Sequence, residues 1–369
     1  MDDSRQDRDA SFRLLDVDLW SSDEVHRPII RSRMTIPEFP QFKRLEITDQ
    51  FEIEHWVRNF LPYSDFNFVS LWCWSTKDTC ELSWLNDNLV VLFNDYLSGE
   101  QFFSFIGVTD VRRTAELLLD LASRRNIVQE LRLIPEITAV AFDDGPGLVL
   151  VPTPEHADYV LSTSDWSVLH GKPFRNKRNE IRGFERDHAP ECREINLADS
   201  HIQSAVNAVY GEWIVQREQA AKTETILESQ AIGRVFSLYR PQDLLALGLF
   251  VEDRMIGFSI NERLKANYSM GHFWKVVGSV PGAYAYMLRH TCRQLAAEGF
   301  ELHNIQQDLG DPGLAISKKL LRPDRYLGRY LIAPEENAKP APDPIRIELP
   351  DRSPDFQISV RYEEPSYVG

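Results

Sequence analysis

The feature that most limits how this chain can fold is a short pattern that occurs twice. In the first half FFSFIG (Phe102 to Gly107) reads as a strand, Asp110 to Arg125 as a leucine-rich helix and QELRLIPE (Gln129 to Glu136) as the next strand. In the second half HFWKVVG (His272 to Gly278), Pro281 to Glu298 and FELHNIQQD (Phe300 to Asp308) repeat that order at similar intervals. Short apolar strands alternating with amphipathic helices predict an α+β (α/β-like) architecture with mixed sheets flanked by helices. The recurrence predicts one structural unit used twice.

The connecting region carries its own signals. Tyr159 to Leu161 read as a strand, and Gly171 to Ala189 as a basic helix with Phe174, Ile181 and Phe184 on or near one side. A helix is expected from Asp199 through Val209 and Trp213, and another from Thr225, where TILE has capping-box spacing. Leu244 to Val251 and Met255 to Ile260 then form a hairpin around Glu252, Asp253 and Arg254. This ordering gives a first lobe at 34–165 and a second at 166–333, between an N-terminal tail (1–33) and a proline-rich C-terminal tail (334–369).

Bulk properties narrow the function. A net charge of −15 argues against indiscriminate attraction to nucleic acid or anionic lipid, while leaving room for a local basic patch. The longest apolar runs fall far short of the roughly 18 residues that a membrane span needs, and MDDSRQDRDA is not a secretory leader, so a cytoplasmic protein without integral membrane association is expected. The four cysteines and nine histidines show no metal-ligand spacing, and no nucleophile elbow or dinucleotide fingerprint is present. No metal is expected.

Three groups of residues suit chemistry. Lys172, Arg175, Arg178 and Asn179 begin the basic helix, where guanidinium groups at helical spacing present planar donors to phosphate; a solvated helix with local ion pairs has the same pattern. Gly278 and Gly282 bracket a strand-to-helix turn that can aim backbone N–H groups at an anion, or serve only as a turn. Glu262, His272, Lys275, Asn304, Gln307 and Asp308 fall on or after neighbouring strands. Alternation would put His272 with Trp274 on one face, and Asn304 with Gln306 and Asp308 on another. Asp308, Glu262 or His272 can take a proton and Lys275 can steady developing negative charge; the same groups also suit buried hydrogen bonds.

Five motifs in order carry a resemblance. LPYSDFNFVSLWCW (Leu61 to Trp74), GKPFRNKRNEI (Gly171 to Ile181), MIGFSINE (Met255 to Glu262), HFWK (His272 to Lys275) and NIQQDLGDPGL (Asn304 to Leu314) resemble the phosphatidylglycerol lysyltransferase C-terminal-like family. That family has two lobes of the GNAT acyltransferase type and is related to the Fem-type aminoacyltransferases. Departures are Trp274 and Gln306, where acidic residues are expected, and Ala315 and Ile316 in place of a basic pair.

The resemblance implies tandem GNAT-type lobes and transfer of an aminoacyl group from aminoacyl-tRNA to an amine or hydroxyl of a small acceptor, with no cofactor required. It also adds Glu228 to the substrate-binding candidates. The alternatives are an N-acyltransferase using acyl-CoA as co-substrate at Gly278 and Gly282, and a non-catalytic module that keeps the fold. A soluble acceptor fits this chain better than a membrane lipid, with peripheral membrane contact left open.

Overall fold

The computed structural model describes residues 35–337, save 77–79, 96–97, 144, 217–222, 266 and 279. Both expected tails, apart from residues 334–337 of the second, lie outside the described residues.

The first half opens with β1 (Lys43–Arg44), α1 (Gln50–Val57) and α2 (Phe68–Trp74). There follow β2 (Glu81–Leu85), β3 (Asn88–Asn94), β4 (Gln101–Ile106), α3 (Val111–Arg125), β5 (Leu131–Pro135), α4 (Glu136–Val140) and β6 (Leu148–Pro152). The centre contributes β7 (Asp158–Ser162), α5 (Thr163–Val168), α6 (Arg175–His188), β8 (Glu191–Glu194), α7 (Ser200–Gln216) and α8 (Thr223–Leu238). The second half supplies β9 (Leu244–Val251), β10 (Arg254–Arg263), β11 (Tyr268–Val276), α9 (Ala283–Ala297), β12 (Leu302–Asn304), α10 (Pro312–Lys319), β13 (Arg325–Leu327) and β14 (Arg329–Pro334).

The order β2-β3-β4-α3-β5 recurs as β9-β10-β11-α9-β12, although β12 pairs with β11 whereas β5 pairs with β14 in another sheet. Each unit starts with a hairpin closed by two left-handed residues, Asn86 and Asp87 in the first and Glu252 and Asp253 in the second. Two consecutive positive φ angles match the twist of the flanking strands, and Asn and Asp tolerate them best among residues with a side chain. The fold is the expected α+β arrangement of mixed sheets and flanking helices.

The strands form three sheets: β1-β2-β3-β4, β5-β14-β6 and the seven-stranded β13-β7-β12-β11-β10-β9-β8. The expected lobe division at 165/166 falls within α5, and β7, just before it, pairs with β12 and β13. Conversely β14, from the end of the second half, pairs with β5 and β6 of the first. The chain therefore crosses between these sheets twice, from β6 to β7 and from β13 to β14.

One face of the seven-stranded sheet packs on α2, α7 and α8 through Phe258, Ile260 and Phe273. The opposite face packs on α5, α6 and α9 through Tyr159, Leu161 and Leu249, together with Phe174, Ile181 and Phe184 as the apolar stripe of α6 predicts. One boundary differs from expectation. The capping box at Thr225 does not form, because α8 already runs from Thr223; the Thr225 carbonyl instead accepts a hydrogen bond from Tyr210, and Glu228 is drawn to a lysine on β11.

Candidate active site

What β11 presents is set by one irregularity. Asn261 pairs with Gly271 and Ile260 with Phe273, so His272 is an extra residue, a β-bulge. The bulge shifts side-chain parity and separates the two residues that simple alternation puts together. Trp274 turns toward α9, where its indole N–H donates to Asn261 Oδ1 (3.1 Å) and its ring lies beside Tyr284 and His303. His272 turns the other way, toward α2 of the first half.

There His272 Nε2 lies 2.9 Å from Glu262 Oε2, and Asn67 Nδ2 donates to the same oxygen at 2.7 Å. A carboxylate only accepts, so the network puts the imidazole proton on Nε2 and leaves Nδ1 to accept from Gln306 Nε2 (3.3 Å) and Ser70 Oγ (3.4 Å). Asn67 is also the N-cap of α2, with Oδ1 accepting from Ser70 N at 3.0 Å. One amide thus starts a first-half helix and holds a second-half carboxylate. Among the described residues Glu262 Oε1 has no hydrogen-bond partner, although the residue is only 6% exposed.

Glu262 lines a cavity of about 610 Å³ between α1 and the ends of β9 and β10. Its walls are aromatic and aliphatic, including Phe60, Phe66, Phe68 and Leu244, and its edge carries Glu54, Arg58, Arg240, Asp243 and Lys265. A volume of this size, lined by both apolar and charged groups, is within the range of small-molecule sites.

The other candidates fall into separate places. Lys275 shares the first-half-facing side of β11; its ammonium donates to Glu228 Oε1 at 2.7 Å and lies 4.2 Å from the Trp213 ring, tying β11 to α7 and α8. Asp308 accepts from the Tyr159 hydroxyl (2.6 Å) and the Gly310 N–H (2.9 Å). Because β12 ends at Asn304, alternation does not continue to Asp308. The intervening backbone is gathered by Lys318, whose ammonium donates to the carbonyls of Ile305 (2.7 Å), Gln306 (3.1 Å) and Gln307; burial lowers its pKa to about 8.

Asn304 and Gln307 belong to a buried network that joins the halves. Arg329 donates to Asp65 (2.6 Å) and Asp158 (2.9 Å), Asn304 to Asp158 (3.0 Å) and the Pro62 carbonyl (2.9 Å), and Gln307 to Asp65 (2.7 Å). Ser64 gives both its N–H and its hydroxyl to Asp158, at 2.9 and 2.6 Å. These side chains hold the structure together and have little left to offer a substrate.

The basic helix and the glycine turn lie elsewhere. α6 packs against the face of the sheet opposite Glu262 and His272. Lys172, Arg175 and Asn179 are exposed there, but Arg178 does not share that open face: its guanidinium turns inward to the carbonyls of Leu169 and Gly171 and closes the end of α5. The ion pairs on α6 are Lys177 with Glu180 and Arg186 with Asp187. Gly278 N already donates to Gln216 Oε1 (2.5 Å), and at Gly282 (φ +87°) a Cβ would sit 2.2 Å from the Glu180 carbonyl oxygen. The turn serves close packing of α9 on α6.

Sequence reasoning missed Asn67, Ser70 and Arg329. Asn67 had a usable signal, a capping residue directly before the apolar run Phe68 to Leu71. Arg329 had none beyond an arginine entering an apolar strand.

Comparison with known proteins agrees with this architecture. The sequence profile of the family described as phosphatidylglycerol lysyltransferase, C-terminal, matches residues 58–333. A conserved protein of unknown function from Bacteroides thetaiotaomicron is similar in structure, with a TM-score of 0.69 at 20% identity over 80% of this chain and 99% of that one. L-PGS from Bacillus licheniformis gives a TM-score of 0.51 at 11% identity over 79% of this chain and 93% of that one. No curated protein matches the sequence. No helix among the described residues is long and apolar enough to cross a membrane.

Proposed function

The chain belongs to the phosphatidylglycerol lysyltransferase C-terminal family, and from that premise we propose that it is an acyltransferase moving an aminoacyl group from aminoacyl-tRNA to the amine or hydroxyl of a small acceptor. The observation that carries the reading is the Glu262 carboxylate: one oxygen is fixed by Asn67 and His272, while the residue lines the cavity with its other oxygen unbonded.

An aminoacyl ester is already activated, so transfer needs a placed nucleophile, a proton acceptor and stabilisation of the oxyanion, with no covalent enzyme intermediate. The acceptor occupies the cavity and gives its proton to Glu262 Oε1 as its nitrogen or oxygen attacks the ester carbonyl. Collapse of the tetrahedral intermediate breaks the ester bond, and the departing ribose hydroxyl takes a proton back. His272 acts through Glu262: its Nε2–H keeps the carboxylate aimed, and Gln306 and Ser70 keep the imidazole in the tautomer that can do so. The acyl-CoA alternative has weaker support. The turn that would meet its pyrophosphate has Gly278 N engaged by Gln216, no N–H on Pro281, and Gly282 pressed against α6.

The test follows a mixed pool of labelled aminoacyl-tRNAs incubated with the chain and small-molecule extract, with the label traced from tRNA into acceptor. Glu262→Gln should lower the rate by about 10² to 10⁴-fold, the usual loss with a general base, while keeping the thermal transition. Turnover of acyl-CoA but not aminoacyl-tRNA, or an undiminished rate in Glu262→Gln, would overturn the reading.

A further inference from the structure

The cavity beside Glu262 is lined by side chains of both charge signs. α1 and the residue after it contribute Glu54, His55 and Arg58, with Arg58 four residues after Glu54 and three after His55. Glu54 lies within electrostatic reach of Glu262, Asp243 and Arg240. The Glu54 carboxyl is pushed above its usual range, first by burial and then by the charges of Glu262 and Asp243, against the opposing hydrogen bond from Gln50 and the charge of Arg240. Burial and then the charges of Arg58 and Lys265 hold the His55 imidazole below its usual pKa. Arg263, also on the edge, is committed to Glu298 by two contacts of 2.6 and 2.8 Å.

The same lining holds Phe60, Phe66, Phe68 and Leu244, and its one nine-tenths-buried carboxylate, Glu262, keeps an oxygen unbonded among the described residues. An occupant that satisfies all three parts needs a cation, an apolar body and an anion. A plain hydrocarbon leaves both signs of charge unanswered. A simple anion or a simple amine answers only one.

We propose that this cavity binds a zwitterionic amine with an apolar body, its ammonium between Glu54 and Glu262 and its anionic group at Arg58 and Lys265. Amino acids and short peptides with apolar side chains have this chemistry. The assignment names the acceptor class for the transfer proposed above; it rests on that reading for its chemistry and not for its binding.

The probe is leucyl-leucine, titrated calorimetrically into the full chain, with N-acetyl-leucyl-leucine, leucyl-leucine amide and glycylglycine as partners that each lack one of the three features. Leucyl-leucine should bind at least about ten-fold tighter than each of them. Glu54 and Arg58 belong to none of the apolar core clusters, so their substitution spares the core. Glu54→Gln should weaken leucyl-leucine about ten-fold without affecting the N-acetyl compound, and Arg58→Gln should weaken it without affecting the amide. Equal affinity for the N-acetyl compound, or no binding of leucyl-leucine at millimolar concentration, overturns the proposal. Binding without consumption of aminoacyl-tRNA sustains the cavity assignment and overturns the transfer; consumption without binding does the reverse.

Discussion

Arg329→Met should remove on the order of 4 kcal/mol of folding stability, because it leaves two buried carboxylates without their cation. Arg329 is 1% exposed and bonds to Asp65 and Asp158 at 2.6 and 2.9 Å. Its place in the topology adds to the cost. Asp158 begins β7 just after one crossing between sheets, and Arg329 begins β14 just after the other, where its carbonyl also accepts from Thr153 N at 2.9 Å. At about 2 °C of Tm per kcal/mol for a unit this large, calorimetry should show a drop of roughly 8 °C. The loss should shrink in acid. The Asp65 carboxyl is already raised, by burial first and by Asp158, with Arg329 opposing. Removing Arg329 raises it further, so the penalty is fully present above the folded pKa and vanishes below the unfolded one. Arg329→Met/Asp65→Asn should recover about half, since Asp158 keeps its bonds from Ser64 and Asn304. A loss below about 1 kcal/mol at neutral pH, within the range of an exposed pair, would refute this account.

Two further outcomes test the packing around the site. His303 is fully buried, with Nδ1 on Ser269 Oγ (3.0 Å) and Nε2 unpartnered; burial and then the charge of His272 lower its pKa to about 3. The unfolded imidazole takes a proton first as pH falls, so between pH 7 and 5 this residue alone should cost about 2 kcal/mol. His303→Gln should flatten that part of the stability profile in urea titrations, and an unchanged slope would count against a neutral buried ring. Gly282→Ala should cost about 2 to 4 kcal/mol, from the left-handed backbone and the approach of Glu180, and a variant as stable as the parent would show that α6 and α9 can separate freely.

Local signals carried much of the fold. The apolar run from Leu244, the acidic turn at Glu252 and Asp253, and the stripe of Phe174, Ile181 and Phe184 each act within a few residues, and each formed where its pattern indicated. The site was less legible because its geometry depends on a single extra residue. Without the bulge His272 would follow strand parity and share a face with Trp274; with it, His272 meets Glu262, and no periodicity in HFWK marks the insertion. For Asn304 and Gln307 the sequence pattern suits a cleft and a buried hydrogen-bond network equally well. Their true partners, Asp158, Pro62 and Asp65, lie more than a hundred residues away.

The same long-range contacts explain why neither half would carry this site alone. Glu262 and His272 belong to the second unit, but Asn67 and Ser70, which orient them, start a helix of the first, and α1 forms one wall of the cavity. The halves are in turn fixed by strand exchange at β7 and β14 and by the Arg329 network, so a small relative movement would reach the carboxylate through α2. Both units follow the same strand–helix–strand order. The functional asymmetry comes from where they meet, since a hydrogen bond across 195 residues, from Asn67 to Glu262, is available only at that seam. A carboxylate aimed by both units is positioned only when both are folded and docked, which ties the chemistry proposed for Glu262 to the integrity of the whole chain.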